Sequence, residues 1–168
     1  MRLVPELVQV VTRTNQRLAT VSRPIVRKRN LIHRCSFTFV HNSHGHLLLQ
    51  KRVAFKETFP SHFDPCPGGV LTVGESYEEN AVRELEEELG VQAPVTALFD
   101  FFYEDDVCRL WGRAFRAVWD GPLQLQESEV ESAEFLDMEE VQRRLATSPT
   151  CPDSLQAFNT YVNTVWDT

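Results

Sequence analysis

The sequence contains no apolar run of the roughly 18–20 residues that a membrane-spanning helix requires. Its first residues lack an apolar stretch followed by small residues, so we expect no secretory signal. The four cysteines form no C-x-x-C pair, which argues against a zinc site and favours free thiols in a reducing cytoplasm. With 17 basic and 24 acidic residues, the net charge of −7 argues against a nucleic-acid polymer as partner. These absences predict a cytoplasmic protein with neither a membrane nor a nucleic-acid partner.

The length and composition fit one globular domain. A chain of 168 residues is long enough to bury a single core, and 42% hydrophobic content argues against wholesale disorder. We therefore expect one domain over residues 1–168, in which residues 1–34 form a β-hairpin and a basic connector and residues 35–168 form the core.

Hydrophobic periodicity predicts strands interleaved with helices. Strands are expected at 6–12, 16–22, 35–41, 46–52, 95–103, 107–119 and 133–136, and helices at 76–89, 138–146 and 154–165. Turn residues at 42–45 predict a hairpin, and three prolines within 53–68 predict a surface loop. Because the order shows no regular βαβ alternation, it indicates the α+β class.

The basic connector, residues 23–34, leaves two interpretations open. It is either a solvated loop or a segment that partly faces an anionic ligand. Five cations lie in it: Arg23, Arg27, Lys28, Arg29 and Arg34.

The most unusual stretch is acidic and covers residues 69–91. It contains seven carboxylates and a single cation, Arg83, and so carries a net charge of −6. Most of this charge lies on the helix predicted at 76–89. Ser76 is a plausible N-cap, with Glu79 three positions later as in a capping box, and Gly90 ends the helix. A structure with so much like charge must tolerate the repulsion, disperse it into water, or bind cations.

One face of this helix has the donors that a hard cation prefers. Glu84, Glu87 and Glu88 fall within an arc of roughly 100°, and no Lys or Arg follows them at i+4 to relieve their repulsion. Three apolar residues share another face and are expected to pack against a sheet: Val82, Leu85 and Leu89. A Mg²⁺ site explains the accumulated charge, and a solvated acidic helix is the alternative.

The wider spacing resembles a known motif. Gly69, five residues, Glu75, seven residues, and then the sequence RELxEExGV at 83–91 match every defined position of the Nudix box. The resemblance implies an α/β/α sandwich in which a mixed β-sheet lies between helices. It also implies cleavage of a diphosphate linkage by water with Mg²⁺, for which Mn²⁺ can substitute.

Carried over by position, the motif implies the metal ligands and the catalytic set. Glu84, Glu87 and Glu88 are similar to the metal-binding carboxylates, and the backbone carbonyl of Gly68 is similar to a further ligand. Glu84 is also the candidate to orient or deprotonate the water. Arg83 completes the expected catalytic set.

The same resemblance implies residues that support the site. Arg83 and Glu75 are similar to the pair that braces the helix and its preceding loop, and Gly69 and Gly90 belong to the same structural support.

Over roughly residues 6–166 the chain also resembles type I isopentenyl-diphosphate isomerase. That likeness implies diphosphate binding by Arg52 and Lys56, for which plain surface charge is the alternative. It also makes Glu104 and Asp106 candidates for further metal ligands. For the pair Glu104 and Asp106 a polar hairpin turn is the alternative. His33 matches an isomerase metal ligand, but its companions are missing here, so a structural histidine is favoured.

The isomerase pattern breaks before the helix. Gly68 stands where the isomerase has its acid/base cysteine, Cys66 lies two residues away, and Val70 replaces a metal-ligand histidine. We therefore expect hydrolysis of a small-molecule diphosphate, first a nucleoside di- or triphosphate, by a monomer or small homo-oligomer. Isomerase-like activity and a non-catalytic nucleotide-binding module are the alternatives. Six aromatic residues are candidates to stack a base, although core packing is favoured for most of them: Phe55, Phe59, Phe63, Phe101, Phe102 and Trp111.

Overall fold

A computed structural model describes residues 4–166 and places nine strands of this range in one mixed sheet. The strands are β1 Leu7–Val11, β2 Arg17–Ser22, β3 Ile32–His41, β4 Leu47–Arg52, β5 Phe63–Asp64, β6 Gly68–Val70, β7 Thr96–Glu104, β8 Arg109–Val118 and β9 Val130–Leu136. The helices are α1 Arg23–Arg29, α2 Tyr77–Leu89, α3 Met138–Thr147 and α4 Pro152–Tyr161, and a π-helical turn, Val162–Trp166, follows α4. No helix within residues 4–166 is long and apolar enough to cross a bilayer.

Strand β3 lies at the centre of the sheet. One of its edges pairs in parallel with β8 along its whole length, from Ile32 opposite Arg109 to His41 opposite Val118. Its other edge is divided among three antiparallel partners, which are β1, then β6, then β4. The predicted hairpin at 42–45 exists, but β3 and β4 pair only at His41 and Leu47 before they diverge. Strand β4 instead pairs with β5 and β9.

Successive side chains of a β-strand point to opposite faces of the sheet, so alternate residues of β3 face different helices. Phe37 and Phe39 belong to a core cluster that contains residues of α3 and α4. Val40 lies in another cluster, with Leu85 and Leu89 of α2. The sheet is thus covered by helices on both faces, and the predicted α/β/α sandwich of the α+β class is confirmed.

Three local predictions differ from the structure. The segment 53–68, expected to be a surface loop, contains β5 and the first residue of β6, and residues 64–67 within it are buried. Residues 23–29 of the basic connector form the helix α1 rather than a loop, with a proline in its first turn and Val26 as its buried residue. Val82 is 38% exposed and does not join the packed face of α2. The buried line of α2 instead runs through four residues spaced four apart: Tyr77, Ala81, Leu85 and Leu89.

Candidate active site

A cleft of about 320 Å³ borders the region where β3 and β4 diverge. Residues of α2 and β6 contribute to its wall, together with α1, the end of β4 and the start of α4. Seven carboxylates and five cations line it: Glu6, Asp64, Glu84, Glu87, Glu88, Glu129 and Asp153, and Arg23, Arg27, Arg52, Lys56 and Arg83. The sheet therefore gathers charges of both signs that are scattered along the chain.

Glu75 and Arg83 form a two-point ion pair that ties the loop before α2 to the helix. The Glu75 carboxylate accepts from Arg83 Nε at 2.7 Å and from Nη2 at 3.2 Å. It also accepts from Asn80 Nδ2 at 2.8 Å and from the backbone N–H of Thr72 at 3.2 Å. Although burial raises the pKa of Glu75, these hydrogen bonds hold it below its ordinary value. Two-point geometry of this kind fixes both side chains.

The other side of the Arg83 guanidinium faces the acidic residues of α2. Nη1 lies 3.3 Å from Glu84 Oε1 and 3.1 Å from Glu87 Oε2. Glu87 follows Arg83 at i+4, so the helix contains one cation that relieves its glutamates, from the N-terminal side. The expectation that no such relief exists was wrong, because it considered only cations that follow the glutamates.

Glu84 lies against the backbone of Gly69. A Cβ on Gly69 would come within 2.6 Å of both Cδ and Oε1 of Glu84, so only glycine leaves room for this carboxylate. The Glu84 side chain is 16% exposed. Burial raises the pKa of Glu84 to about 7; Arg83 opposes the rise, and Glu87 adds to it.

Glu88 lies deeper in the cleft. Burial raises its pKa well above the ordinary value, and the charges of Glu84 and Asp64 raise it further. Gln50 donates to Glu88 through Nε2 at 3.4 Å, while its own buried Oε1 finds no partner among residues 4–166. Glu87 is more open to solvent, with a half-exposed side chain.

The donor set suits a hard divalent cation. Burial raises the pKa of both Glu84 and Glu88, and the charge of another carboxylate adds to each rise, so their charged forms gain from a cation held between them. Oxygen atoms are the ligands that Mg²⁺ takes. Gly68 also lines the cleft and pairs with Phe37 of β3. Within residues 4–166, no three acidic, histidine or cysteine side chains already surround a common point. A cation would therefore have to draw the glutamate side chains together.

Arg52 and Lys56 both line the cleft. Arg52 donates to the backbone carbonyl of Thr58 through Nε at 3.2 Å and Nη2 at 3.0 Å, which fixes its guanidinium. Lys56 is paired with Glu129. The structure thus brings both residues to the cleft that contains the α2 glutamates.

Glu104 and Asp106 are not brought to the cleft. Glu104 ends β7 and pairs with Arg13 at 3.0 Å, while Asp106 is exposed in the turn that follows. Neither is among the cleft-lining residues of the described chain. This geometry favours the polar-turn alternative.

His33 and Cys66 are buried residues of the cleft wall. His33 Nδ1 bonds to the carbonyl of Leu31 at 2.9 Å, and burial lowers its pKa. Cys66 is fully buried, with Sγ 3.6 Å from the carbonyl of Ser154, and burial raises its pKa well above the ordinary value. All four cysteines are unpaired thiols.

Of the six aromatic candidates for base stacking, Phe59 lines the cleft. Phe55 is 72% exposed and borders an outer depression next to it, whereas Phe101 is buried in the core. The other three, Phe63, Phe102 and Trp111, are not among its lining residues within 4–166.

Three residues of the site carry no signal in the sequence. Asn80 is fully buried, accepts from Ser36 Oγ and donates to the carbonyl of Val70 at 3.1 Å, so it links α2 to β3 and β6. Asp64 and Asp153 meet because the N–H of Cys151 bonds to the carbonyl of Phe63 at 2.9 Å, which brings the start of α4 to β5. Burial raises the pKa of Asp153 to about 6, and the neighbouring Asp64 contributes to the rise.

Comparison with known proteins agrees with this geometry. A family model of the NUDIX domain matches residues 31–153. An uncharacterized Nudix hydrolase of Pseudomonas aeruginosa is 38% identical over 159 residues, which cover 94% of each chain. The uncharacterized Nudix hydrolase YfcD of Escherichia coli K12 is 39% identical over 154 residues, 91% of this chain and 84% of YfcD.

Solved structures share the fold. DR0079 from Deinococcus radiodurans has a TM-score of 0.78 at 24% identity, over 93% of this chain and 99% of its own. The NUDIX domain of Shewanella oneidensis NrtR, complexed with ADP ribose, has a TM-score of 0.63 at 19% identity, over 77% and 86%. The family match, the curated relatives and the complete box together show that the chain belongs to the Nudix hydrolases, a family of enzymes that hydrolyse pyrophosphate linkages.

Proposed function

We propose that this protein hydrolyses a diphosphate linkage in a nucleoside di- or triphosphate, or a related X-linked diphosphate, with Mg²⁺ or Mn²⁺. The observation that carries the proposal is the desolvated pair Glu84 and Glu88, in a cleft that is also lined by arginine and lysine side chains. Carboxylates suit the cation, and the basic side chains suit the phosphates.

In this proposal Glu84, Glu87 and Glu88 hold the cation, with the carbonyl of Gly68 as a further ligand. Nudix proteins generally use a divalent cation, which here would neutralise diphosphate charge and activate a water. We assign to Glu84 the orientation or deprotonation of that water, because Arg83 and the backbone at Gly69 fix its carboxylate.

The remaining site residues bind the substrate or hold the metal-binding glutamates in position. Arg83 and Glu75 hold α2 against its loop, so their role is to position the glutamates. Gly69 leaves room for Glu84, and Gly90, whose positive φ of 67° closes α2, ends the helix in the required place. Arg52 and Lys56 bind substrate phosphate, in keeping with their position on the cleft wall.

A small-molecule substrate, first a nucleotide, is our choice of class. The NrtR domain, whose fold is similar, was solved with ADP ribose, and this supports a nucleotide without identifying one. We further propose that the N-terminal hairpin and α1 belong to the same domain as the core, since Val10 pairs with His33 and both Arg23 and Arg27 line the cleft.

The likeness to the isomerase branch does not lead us to propose isomerisation. Val70 occupies the position of an isomerase metal-ligand histidine and has no ligating atom in its side chain. Cys66 lines the cleft, but its Sγ contacts the carbonyl of Ser154. We therefore assign Cys66 to packing.

The decisive experiment measures release of phosphate or pyrophosphate from a panel of nucleotides, nucleotide sugars, dinucleotides and coenzyme A. Hydrolysis should require Mg²⁺ or Mn²⁺, stop with EDTA and be lost in Glu88→Gln. Glu86→Gln is the matched control, because Glu86 is exposed on the same helix and does not line the cleft. Conversion of isopentenyl to dimethylallyl diphosphate with loss on Cys66→Ala would refute the proposal, as would tight ligand binding without any product.

A further inference from the structure

We propose that Arg23 and Arg27 of α1 bind a phosphate group of the substrate at the mouth of the cleft, which makes α1 a substrate-binding element of the active site. The inference rests on the proposed function and extends it, because it assigns phosphate recognition to the N-terminal segment that precedes the family-matched region, residues 31–153.

The two arginines lie where the cleft opens outward. Both line the cleft, and both also line an adjoining outer depression, together with Lys56 and Thr58. Because Arg23 and Arg27 are four residues apart, they project from one face of the helix. Their side chains thus form, with Lys56, a row of three cations at the boundary of the two cavities. Each cation is paired with one carboxylate, from Glu6, Glu57 or Glu129.

The backbone that carries the arginines is anchored. Val26 is buried in a cluster with Val8 and Val10 of β1. The N–H of Arg23 bonds to the carbonyl of Glu6 at 2.9 Å, which ties the start of α1 to the residue before β1. A helix fixed in this way presents its side chains in a defined position, which lowers the ordering cost of binding a ligand.

The guanidinium groups retain donors for a ligand. Arg23 Nη1 pairs with Glu6 at 2.8 Å and Arg27 Nη1 pairs with Glu57, both pairs partly exposed to solvent. Arg23 Nε is buried and has no hydrogen-bond partner among residues 4–166. Solvent-exposed ion pairs contribute little, so exchange of one carboxylate for a phosphate is readily reversible. The planar fork of Arg matches phosphate oxygens better than it matches a single carboxylate oxygen.

Arg23 and the α2 carboxylates belong to one cavity. Arg23 lines the cleft from α1, and Glu84 and Glu88 line it from α2. One end of a bound polyphosphate would lie at the α2 glutamates and their cation. Its other end can then reach the arginines of α1. This arrangement divides the substrate's negative charge between two elements, α2 and α1.

The test uses inorganic pyrophosphate as the probe and the full chain in EDTA, so that the α2 cation site cannot contribute. Calorimetry should show binding weakened at least about 10-fold in Arg23→Gln and in Arg27→Gln, the size expected for loss of a charge-assisted contact. Lys28→Gln and Arg29→Gln are matched controls, because they remove the same charge from the same helix outside the cleft, and they should bind within about 2-fold of the wild type.

With Mg²⁺ and the nucleotide that the panel identifies, both cleft variants should raise KM more than they lower kcat, since a binding contact is lost. Glu6→Gln removes the partner of Arg23 but leaves the arginine, and it should keep or tighten pyrophosphate binding. If Arg23→Gln folds poorly, the test rests on Arg27→Gln, because Arg27 is exposed and its replacement should not disturb the fold.

Failure of this inference can be distinguished from failure of the proposed function. Nucleotide hydrolysis by the wild type with equal pyrophosphate binding in all four variants would overturn the role of α1 and leave the hydrolase intact. Pyrophosphate binding that depends on Arg23 and Arg27, in a protein that hydrolyses nothing in the panel, would support the role of α1 and overturn the function.

Discussion

The substitution Gly69→Ala should displace the Glu84 carboxylate without destabilising the fold. Gly69 lies beneath the Glu84 carboxylate, and an added Cβ would be 2.6 Å from Cδ and from Oε1 of that side chain. Ordinary contacts begin at 3.4 Å, so the carboxylate must move by 3.4 − 2.6 = 0.8 Å or more. Because Gly69 is not among the residues of the described chain with positive φ, alanine meets no backbone strain there.

The expected effect falls on activity rather than stability. A displacement near 1 Å at a catalytic group costs roughly 10²-fold in rate, which corresponds to about 2.7 kcal/mol of transition-state stabilisation. The displaced atoms form the tip of a flexible side chain, so the free energy of unfolding should change by less than about 1 kcal/mol.

The assay compares kcat/KM at saturating Mg²⁺ with the urea-unfolding free energy. Gly45→Ala is the matched control, because its positive φ of 78° penalises alanine by about 1–2 kcal/mol, while nothing lies within 4 Å of the new Cβ and the residue is outside the cleft. Gly45→Ala should lower stability and leave activity unchanged. A Gly69→Ala enzyme with activity within about 3-fold of wild type and unaltered stability would refute the reasoning.

Three further outcomes are expected. Leu85→Ala should lower the unfolding free energy by about 2–5 kcal/mol and Val82→Ala by less than about 0.5 kcal/mol, since only Leu85 is buried; equal losses in urea titrations would contradict the packing of α2. Cys66→Ala should keep hydrolysis within about 2-fold while its melting temperature falls by a few degrees, and a large loss of activity would reopen its catalytic role. Glu75→Gln should destabilise the protein at neutral pH. Because the folded-state pKa of Glu75 lies below its ordinary value, this stabilisation is present above the ordinary pKa of about 4.3 and is lost as pH falls through the folded value. A difference from wild type that persisted at low pH would count against the Glu75–Arg83 pair.

Helix α2 was predictable because its limits are set by local chemistry. Ser76 Oγ accepts from the N–H of Glu79 at 3.0 Å, and Gly90 adopts the left-handed conformation that ends the helix. The ion pair of Glu75 and Arg83 was implied by the motif alone. All of these features depend on residues within one short stretch, and short-range patterns are what a sequence displays most clearly.

The errors arose where tertiary packing decides the outcome. Helix α1 has seven residues, no side-chain cap and a single buried residue, Val26, so its apolar pattern is too weak to identify; Pro24 in its first turn is the one local signal. Val82 has the residue type of a core position, but the sheet contacts the line through Tyr77, Ala81, Leu85 and Leu89 instead.

Asp64 and Asp153 show the same limit in the site itself. Eighty-nine positions separate them in the sequence, and they meet only through the contact between Phe63 and Cys151. The placement of Glu104 away from the cleft likewise depends on long-range pairing, because β7 joins the sheet through β8, and β8 pairs with β3.

The pairing of β3 with β8 has a consequence for synthesis on the ribosome. Ile32 meets Arg109, so the central pairing of the sheet closes a loop of 109 − 32 = 77 residues that contains the whole of the Nudix box. Contacts of such long range slow folding, because the entropy of loop closure is lost before the contacts form. The box, which ends at Val91, therefore leaves the ribosome before β8, which begins at Arg109. Helix α2 lacks part of the sheet that it packs against until β8 has also emerged.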